Sequence, residues 1–278
     1  MPVTTELEAA VIRGFDPRRG LSTDPIVVMD PMRALLEDYS KIPPEGVTEA
    51  VKEARDRAFA VFPYPCIGKC LFINFSLPTI PCYDEVLCRT RQGQKLLDLG
   101  CGFGQELRLL TYRGARSETL YGVDLRPEFI DLGYDLFKDR NTLKSHFITA
   151  DILADEPLAI SQLSGSINIV HASFLFHLFN WDQQVLIAKQ ALALLCARPD
   201  SLIIGQNIGH QDPNKFSAVG AILPFHHNAS SWKALWDHVR EVTGVAFSMQ
   251  VWERFEHPSL PAVRSPELHV LSFVVRLQ

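Results

Sequence analysis

The densest chemistry in the chain lies in Lys95-Leu-Leu-Asp-Leu-Gly-Cys-Gly-Phe-Gly-Gln-Glu106. Three glycines at alternate positions, Gly100, Gly102 and Gly104, follow the apolar run Leu96–Leu99 and precede Leu107, Leu109 and Leu110. A strand that breaks into a glycine turn and then a helix brings bare backbone N–H groups up to a nucleotide-like ligand. Asp98 stands just before the turn. A pyrophosphate there would meet like charge, whereas a ligand with a cationic amino-acid end would be stabilised. The G-x-G-x-G spacing, with that acid, also counts against an NAD-type oxidoreductase, whose fingerprint is G-x-G-x-x-G. Two further carboxylates close apolar runs. Asp124, followed by Leu125, is placed to accept both hydrogen bonds of a ribose diol. Asp151 can accept from the amino group of a base, with Ile152 as its apolar neighbour. His171, Ala172 and Ser173 end a fourth run. Each taken alone reads as a solvated strand end; together they define a crevice of the kind in which open α/β sheets bind ligands.

Strands alternating with helices must position these residues. The pattern predicts strands near 96–99, 119–125, 146–149, 166–173 and 201–207, with helices near 104–112, 126–140 and 180–195 between them. Asn180-Trp-Asp-Gln183 reads as a capping box. Such alternation implies a parallel sheet with right-handed crossovers. Residues 208–229 form a long connection, a helix runs from Ser231 to about Thr243, and two β-rich runs, 245–255 and 269–277, close the chain. Before the first strand, residues 1–28 read as an irregular arm, helices are expected near 30–40, 45–62 and 82–91, and an aromatic, proline-rich block fills 63–78. The division expected is an N-terminal helical and aromatic lid, 1–92, on a single functional unit, 93–278.

Composition narrows the partners. With 278 residues and 47% hydrophobic content, the chain can bury a large core. A net charge of −5 is the wrong sign for a protein that chiefly grips phosphate backbones. No run approaches the roughly 18 apolar residues of a membrane span, and Met-Pro-Val-Thr-Thr-Glu has no signal-peptide character. A cytoplasmic protein without nucleic-acid partners is expected. Cysteines 66, 70, 82 and 88 match no common zinc spacing and read as buried free thiols.

The glycine turn, with Asp124 and Asp151 at the following strand ends, resembles the cofactor site of class I S-adenosylmethionine (SAM)-dependent methyltransferases across about 95–207. The resemblance implies a Rossmann-like, mostly parallel seven-stranded sheet with an antiparallel C-terminal strand. It also implies SAM as cofactor, held by Asp98, Gly100, Cys101, Gly102, Gly104, Asp124, Leu125, Asp151, Ile152, His171, Ala172 and Ser173. A homodimer is compatible with it. Phe62-Pro-Tyr-Pro-Cys-Ile-Gly-Lys-Cys-Leu-Phe-Ile73 looks like the block of fungal meroterpenoid-pathway methyltransferases that make methyl esters of farnesylated aromatic acids. An amino-methylating nucleic-acid enzyme would carry Asn/Asp-Pro-Pro-Tyr after the fourth strand, where this chain has Ser173-Phe-Leu-Phe-His177. A methyltransferase-like regulatory protein would share the same motifs and stays open.

The acceptor must be bound by what is added to this core. Tyr64, Phe72, Phe75, His210, Phe225 and Trp232 are the expected substrate-binding residues, with Phe216 and Lys215 nearby; aromatics on both flanks imply a bulky apolar acceptor. No metal is expected, since Asp212 with Asn207 and Asn214 is too thin a ligand set. His177 is the expected catalytic residue. A phenol, with a pKa of about 10, needs a base there, whereas a carboxylate of about 4 is already ionised and needs only orientation. A carboxylate oxygen is the expected target; a phenol or other hydroxyl, as on a polyketide, is the alternative.

Overall fold

A computed structural model of the protein describes residues 21–154, 158–213, 224–255 and 266–278. Seven strands form one sheet: β1 Leu96–Leu99, β2 Leu120–Asp124, β3 His146–Thr149, β4 Ile169–His171, β5 Leu202–His210, β6 Phe247–Arg254 and β7 Leu268–Leu277. Their order is β3-β2-β1-β4-β5-β7-β6. The first five pair in parallel, and β7 inserts antiparallel between β5 and β6. The fold expected from the resemblance is the one observed. Because β1 is central, the reversal of strand order between β1 and β4 opens the crevice beside the glycine turn.

Helices cover both faces: α1 Val47–Val61, α2 Tyr83–Arg91, α3 Gln105–Tyr112, α4 Pro127–Phe137, α5 Trp181–Leu194 and α6 Ala229–Thr243. The capping box is present, with Asn180 accepting from the Gln183 N–H and Gln183 from the Asn180 N–H. A second box, Asn228 with Ser231, starts α6 two residues before the point the sequence suggests. Two strand bounds move. β4 shrinks to Ile169–His171, and β5 extends to His210 because β7 pairs with it along its whole length, taking in residues assigned to a connection. Residues 1–20 of the expected arm and Phe216 and Lys215 fall outside the described residues.

The residues before β1 share a core with the sheet layer. Met32, Leu35, Leu36, Val47, Val51, Ala58, Phe62 and Phe72 pack with Phe103 of the glycine turn, Leu109 of α3 and Phe129, Leu132, Leu136 and Phe137 of α4. Buried Arg108 ties the same elements together. Its guanidinium donates twice to Asp139 (2.8 and 2.9 Å) and once to the Phe103 carbonyl (2.6 Å), and the Tyr39 hydroxyl donates to Asp139 (2.8 Å). The thiols correct one expectation: all six cysteines are free, but Cys66 and Cys88 are exposed, because both sit on short helical segments with one side turned outward.

Candidate active site

The glycine turn has the backbone that its residues require. Gly100, Gly102 and Gly104 all adopt positive φ, at 73°, 54° and 64°. A Cβ on Gly104 would lie 2.6 Å from the Phe147 ring, so close packing demands glycine there. A Cβ on Gly102 would meet nothing within 4 Å, which leaves its backbone facing open space. Asp124 holds that turn from β2: its Oδ2 accepts from the Gly102 N–H (2.8 Å) and its Oδ1 from the Arg126 N–H (2.9 Å). Burial pushes the Asp124 carboxyl up to about 6, despite those two donors. Leu125 beside it is exposed, an apolar surface without a cover among the described residues. Asp151 fixes its own loop through the Leu153 N–H (2.8 Å), with Ile152 buried next to it.

These features fit SAM. An open glycine backbone, a carboxylate with acceptor capacity left and an uncovered apolar side chain are what a ribose and a base need. Other residues of the expected cofactor set lie deeper. The Cys101 side chain is buried against Gly122, so only its backbone can face a ligand. Ala172 is also buried. Asp98 and His171, neighbours in the β1–β4 register, are joined by a hydrogen bond of 2.7 Å, and the other nitrogen of His171 lies 2.7 Å from the Ser173 hydroxyl.

The expected acceptor residues divide. Tyr64 packs at a tilt of 44° against Phe62 (ring centroids 4.3 Å apart), and the Arg126 guanidinium lies 5.0 Å above the Phe62 ring. Neighbouring Cys66, though exposed at its surface, is raised above the ordinary thiol value, first by desolvation among the surrounding atoms and last by the charge of Asp124. Tyr64 and Cys66 therefore sit near the Asp124 end of the crevice. Phe72 packs edge-on against Phe103 (4.5 Å) in the core. Trp232 is also a core residue, fully buried between Phe176, Phe273 and Trp236, because α6 turns its apolar face onto β7. Phe75 lines a cavity of about 720 Å³ between residues 22–31 and 69–79, together with Ile26, Leu71, Ile73 and Thr79. Leu71 also packs with Phe174, Ile208 and Val270 at the C-terminal ends of β4 and β5.

His177 lies just past β4, with Phe174 and His226 at ring distances of 6.1 and 6.0 Å. Burial holds it at about 3, with His226 adding to the depression and Asn207 opposing it. Asn207 lies within polar reach, yet both its amide atoms and the His177 Nδ1 are buried without a well-formed hydrogen bond. His226 and His227 are likewise depressed, to about 4 and about 3, chiefly by burial. His227 bonds to Ser231 and Gln184, and His210 to Asp212. Among the described residues, no group of three or more His, Cys, Asp or Glu is arranged to hold a metal, and no helix is long and apolar enough to cross a membrane. Sequence reasoning missed Ser76, Glu106, Arg108 and Asn207. Asn207 could have been found as a polar residue closing an apolar strand.

Comparison with known proteins places this geometry. Residues 23–73 match the family described as meroterpenoid methyltransferase N-terminal domain, and residues 96–197 match the methyltransferase domain family. The chain is 48% identical over 251 residues to methyltransferase adrK of Penicillium roqueforti, covering 90% of each protein. It is 48% identical over 231 residues to the asnovolin E/chermesin D methyltransferase nvfJ of Aspergillus novofumigatus, covering 83% of each. It is 46% identical over 225 residues to the O-methyltransferase phiE of a fungal species, covering 80% of this chain and 75% of that one. Among solved structures, a SAM-dependent methyltransferase of Mesorhizobium loti shares the fold, with a TM-score of 0.50 at 14% identity over 72% of this chain and 99% of that one.

Proposed function

The chain belongs to the class I SAM-dependent methyltransferases, among the fungal meroterpenoid methyltransferases, and on that premise we propose that it methylates a carboxylate oxygen of a bulky apolar meroterpenoid. The observation that carries the choice of acceptor is the pairing of His177 with Asn207. Half-buried His177 and buried Asn207 keep unmatched polar atoms that are shut off from water, and an unmatched buried donor costs about 1–3 kcal/mol. An acceptor carboxylate would take hydrogen bonds from the Asn207 Nδ2–H and a His177 Nδ1–H together. Among the described residues, the histidines beside this site, His177, His226 and His227, are all held below the ordinary imidazole value, chiefly by burial, which makes each a weak base toward a phenol of about 10. A carboxylate requires no base. The likeness to an O-methyltransferase and to an asnovolin E/chermesin D enzyme supports an oxygen target on a meroterpenoid.

Bound SAM supplies an electrophilic methyl group on a sulfonium. Asp124 accepts from the ribose hydroxyls, the glycine-turn backbone receives the amino-acid end, and Asp151 with Ile152 holds the base. His177 and Asn207 orient the acceptor oxygen toward the methyl, since positioning is most of the work in an in-line displacement. Phe174, Leu71 and Ile208 exclude water, and the cavity beside Phe75, whose lining mixes Ile26, Leu71 and Ile73 with Asp24, Asp30, Arg55 and Lys69, offers room for the body of the acceptor and its polar groups. Residues up to 92 act as the lid. Their described apolar side chains pack into cores shared with the rest of the fold, one with the glycine turn, α3 and α4 and another, through Leu77, Ile80 and Val86, with β1, β2, β4 and β5, which supports a lid over a separate domain.

Mass spectrometry against farnesylated aromatic acids and matched phenols tests the reading: the expected product is a methyl ester that mild alkali cleaves. At saturating cofactor, turnover should stay flat from about pH 6.5 to 9, since a carboxylate is ionised throughout. His177→Ala should lower kcat less than about tenfold, through lost orientation. An alkali-stable ether, with a loss of about 10²–10⁴-fold in His177→Ala, would assign His177 the role of base and overturn the carboxylate reading.

A further inference from the structure

Behind the glycine turn, four segments meet in one buried polar chain that the methyl-transfer steps leave unused. Asp98 of β1, Glu106 of α3 and His171 of β4 are 3%, 3% and 1% exposed. The Nδ1 of His171 is 2.7 Å from Asp98 Oδ1. Its Nε2 is 2.7 Å from the Ser173 hydroxyl and 3.2 Å from that of Ser76, which lies in the segment before β1. Glu106 Oε1 collects three donors: the Ser76 hydroxyl (2.8 Å), the Ser76 N–H (2.6 Å) and the Leu77 N–H (3.3 Å). Glu106 Oε2 is buried without a hydrogen bond.

The donors and acceptors along this chain bear on the state of the ring. The Ser76 hydroxyl gives its hydrogen to Glu106, so toward His171 it can only accept. The Ser173 hydroxyl accepts from the Gln206 N–H (3.2 Å) and has a lone pair left for the ring. Asp98 is a carboxylate and accepts as well. The Asp98 contact needs a hydrogen on Nδ1 and the Ser76 contact one on Nε2, a state in which the Ser173 hydroxyl accepts from the ring. We propose that His171 is a buried imidazolium and a positioning residue: its positive charge joins β1, the end of β4 and the segment before β1, and so fixes Asp98 behind the amino-acid end of the cofactor. The proposal rests on the reading of Asp98 and the glycine turn as the cofactor site.

The electrostatics agree. Burial alone would depress His171, but the charge and hydrogen bond of Asp98, with Glu106 behind, outweigh it and raise the ring above its ordinary value. Burial in turn raises Glu106, which His171 opposes. The charged groups around the ring are Asp98 from β1 and Glu106 from α3, with Asp124 of β2 next beyond Asp98; Ser76 and Ser173 are neutral. A raised histidine keeps its proton below the raised value and loses it above, so the link should hold at neutral pH and loosen in alkali.

Nitrogen-15 NMR on the histidine-labelled full chain tests this without the cofactor. The His171 resonances, assigned by their loss in His171→Gln or by their shift in Ser76→Ala if the first variant does not fold, should show both nitrogens protonated at pH 7 and stay so above pH 8. Calorimetry with S-adenosylhomocysteine supplies the second readout. His171→Gln should bind about three- to tenfold more weakly at pH 7. Because the ligand amine titrates too, the measured quantity is the difference between wild type and variant, which should shrink as the His171 signal titrates. A neutral-tautomer pattern at pH 7, or an affinity and pH profile unchanged in His171→Gln, overturns the proposal. Failure of a folded wild-type protein to bind S-adenosylhomocysteine would instead overturn the cofactor-site reading, and leave the NMR result to decide the charge of the ring.

Discussion

Arg108→Ala is expected to cost about 3–5 kcal/mol of folding stability, measured as a lower urea midpoint at unchanged slope. Asp139 sets the size of the loss. In the native fold it accepts two hydrogen bonds from the Arg108 guanidinium and one from the Tyr39 hydroxyl, and it is nearly inaccessible to water. Removing the arginine leaves a buried carboxylate with only the phenol, a desolvated charge without a counter-ion. The guanidinium is also enclosed by the rings of Tyr134, Phe137 and Phe147, at 5.2, 4.8 and 5.5 Å, so the truncation empties an aromatic box as well. The double variant Arg108→Met/Asp139→Leu separates the two effects. It should recover most of the loss, because paired buried charges exchange for apolar side chains at little net cost. Equal instability of the single and double variants would assign the effect to packing. Since Arg108 also donates to the Phe103 carbonyl, the single variant should loosen the glycine turn and weaken the cofactor beyond its effect on stability.

Asp124→Ala is expected to weaken S-adenosylhomocysteine about 10–100-fold by calorimetry. Ribose hydroxyls left unpaired in a buried site cost about 1–3 kcal/mol, and 1.4 kcal/mol is tenfold in affinity. The same variant frees the Gly102 N–H, so Asp124→Asn, which keeps an acceptor oxygen, is the sharper test and should fall between wild type and alanine. The pH dependence follows from the carboxyl being held at about 6 by burial. Donors in the ligand favour its ionised form, so affinity should fall as pH drops below about 6 and binding near pH 6 should release protons. Two buffers of different ionisation enthalpy reveal that release, and Asp124→Asn should abolish it. For the apoprotein the sign reverses. A carboxyl raised on folding opposes the fold once ionised, so its contribution to stability declines as pH rises from about 4 to about 6. An affinity unchanged in Asp124→Ala would remove this residue from the ribose site.

The strand–turn–helix at 96–112 and the order of the elements are legible in the sequence because they rest on local rules, and the cofactor class and the family because the motif residues resemble those of known methyltransferases. Glycines at positive φ, apolar runs of period 2 or 3.6 and capping residues act over a few neighbours, and a chain carries that information in one dimension. What only the tertiary structure decided concerns residues whose partners lie far along the chain. Nothing local to the helix marks Glu106 and Arg108 as buried; both are, because Ser76 and Asp139 come to them from 30 and 31 residues away. Trp232 reads as a pocket wall and is core, because β7 is inserted between β5 and β6 and offers α6 an apolar face. His171 reads as one member of a strand end. Its contacts with Asp98 and Ser76 span 73 and 95 residues. Burial and charge state belong to the assembled surroundings, where each removed water must be replaced by a partner that the local sequence does not name.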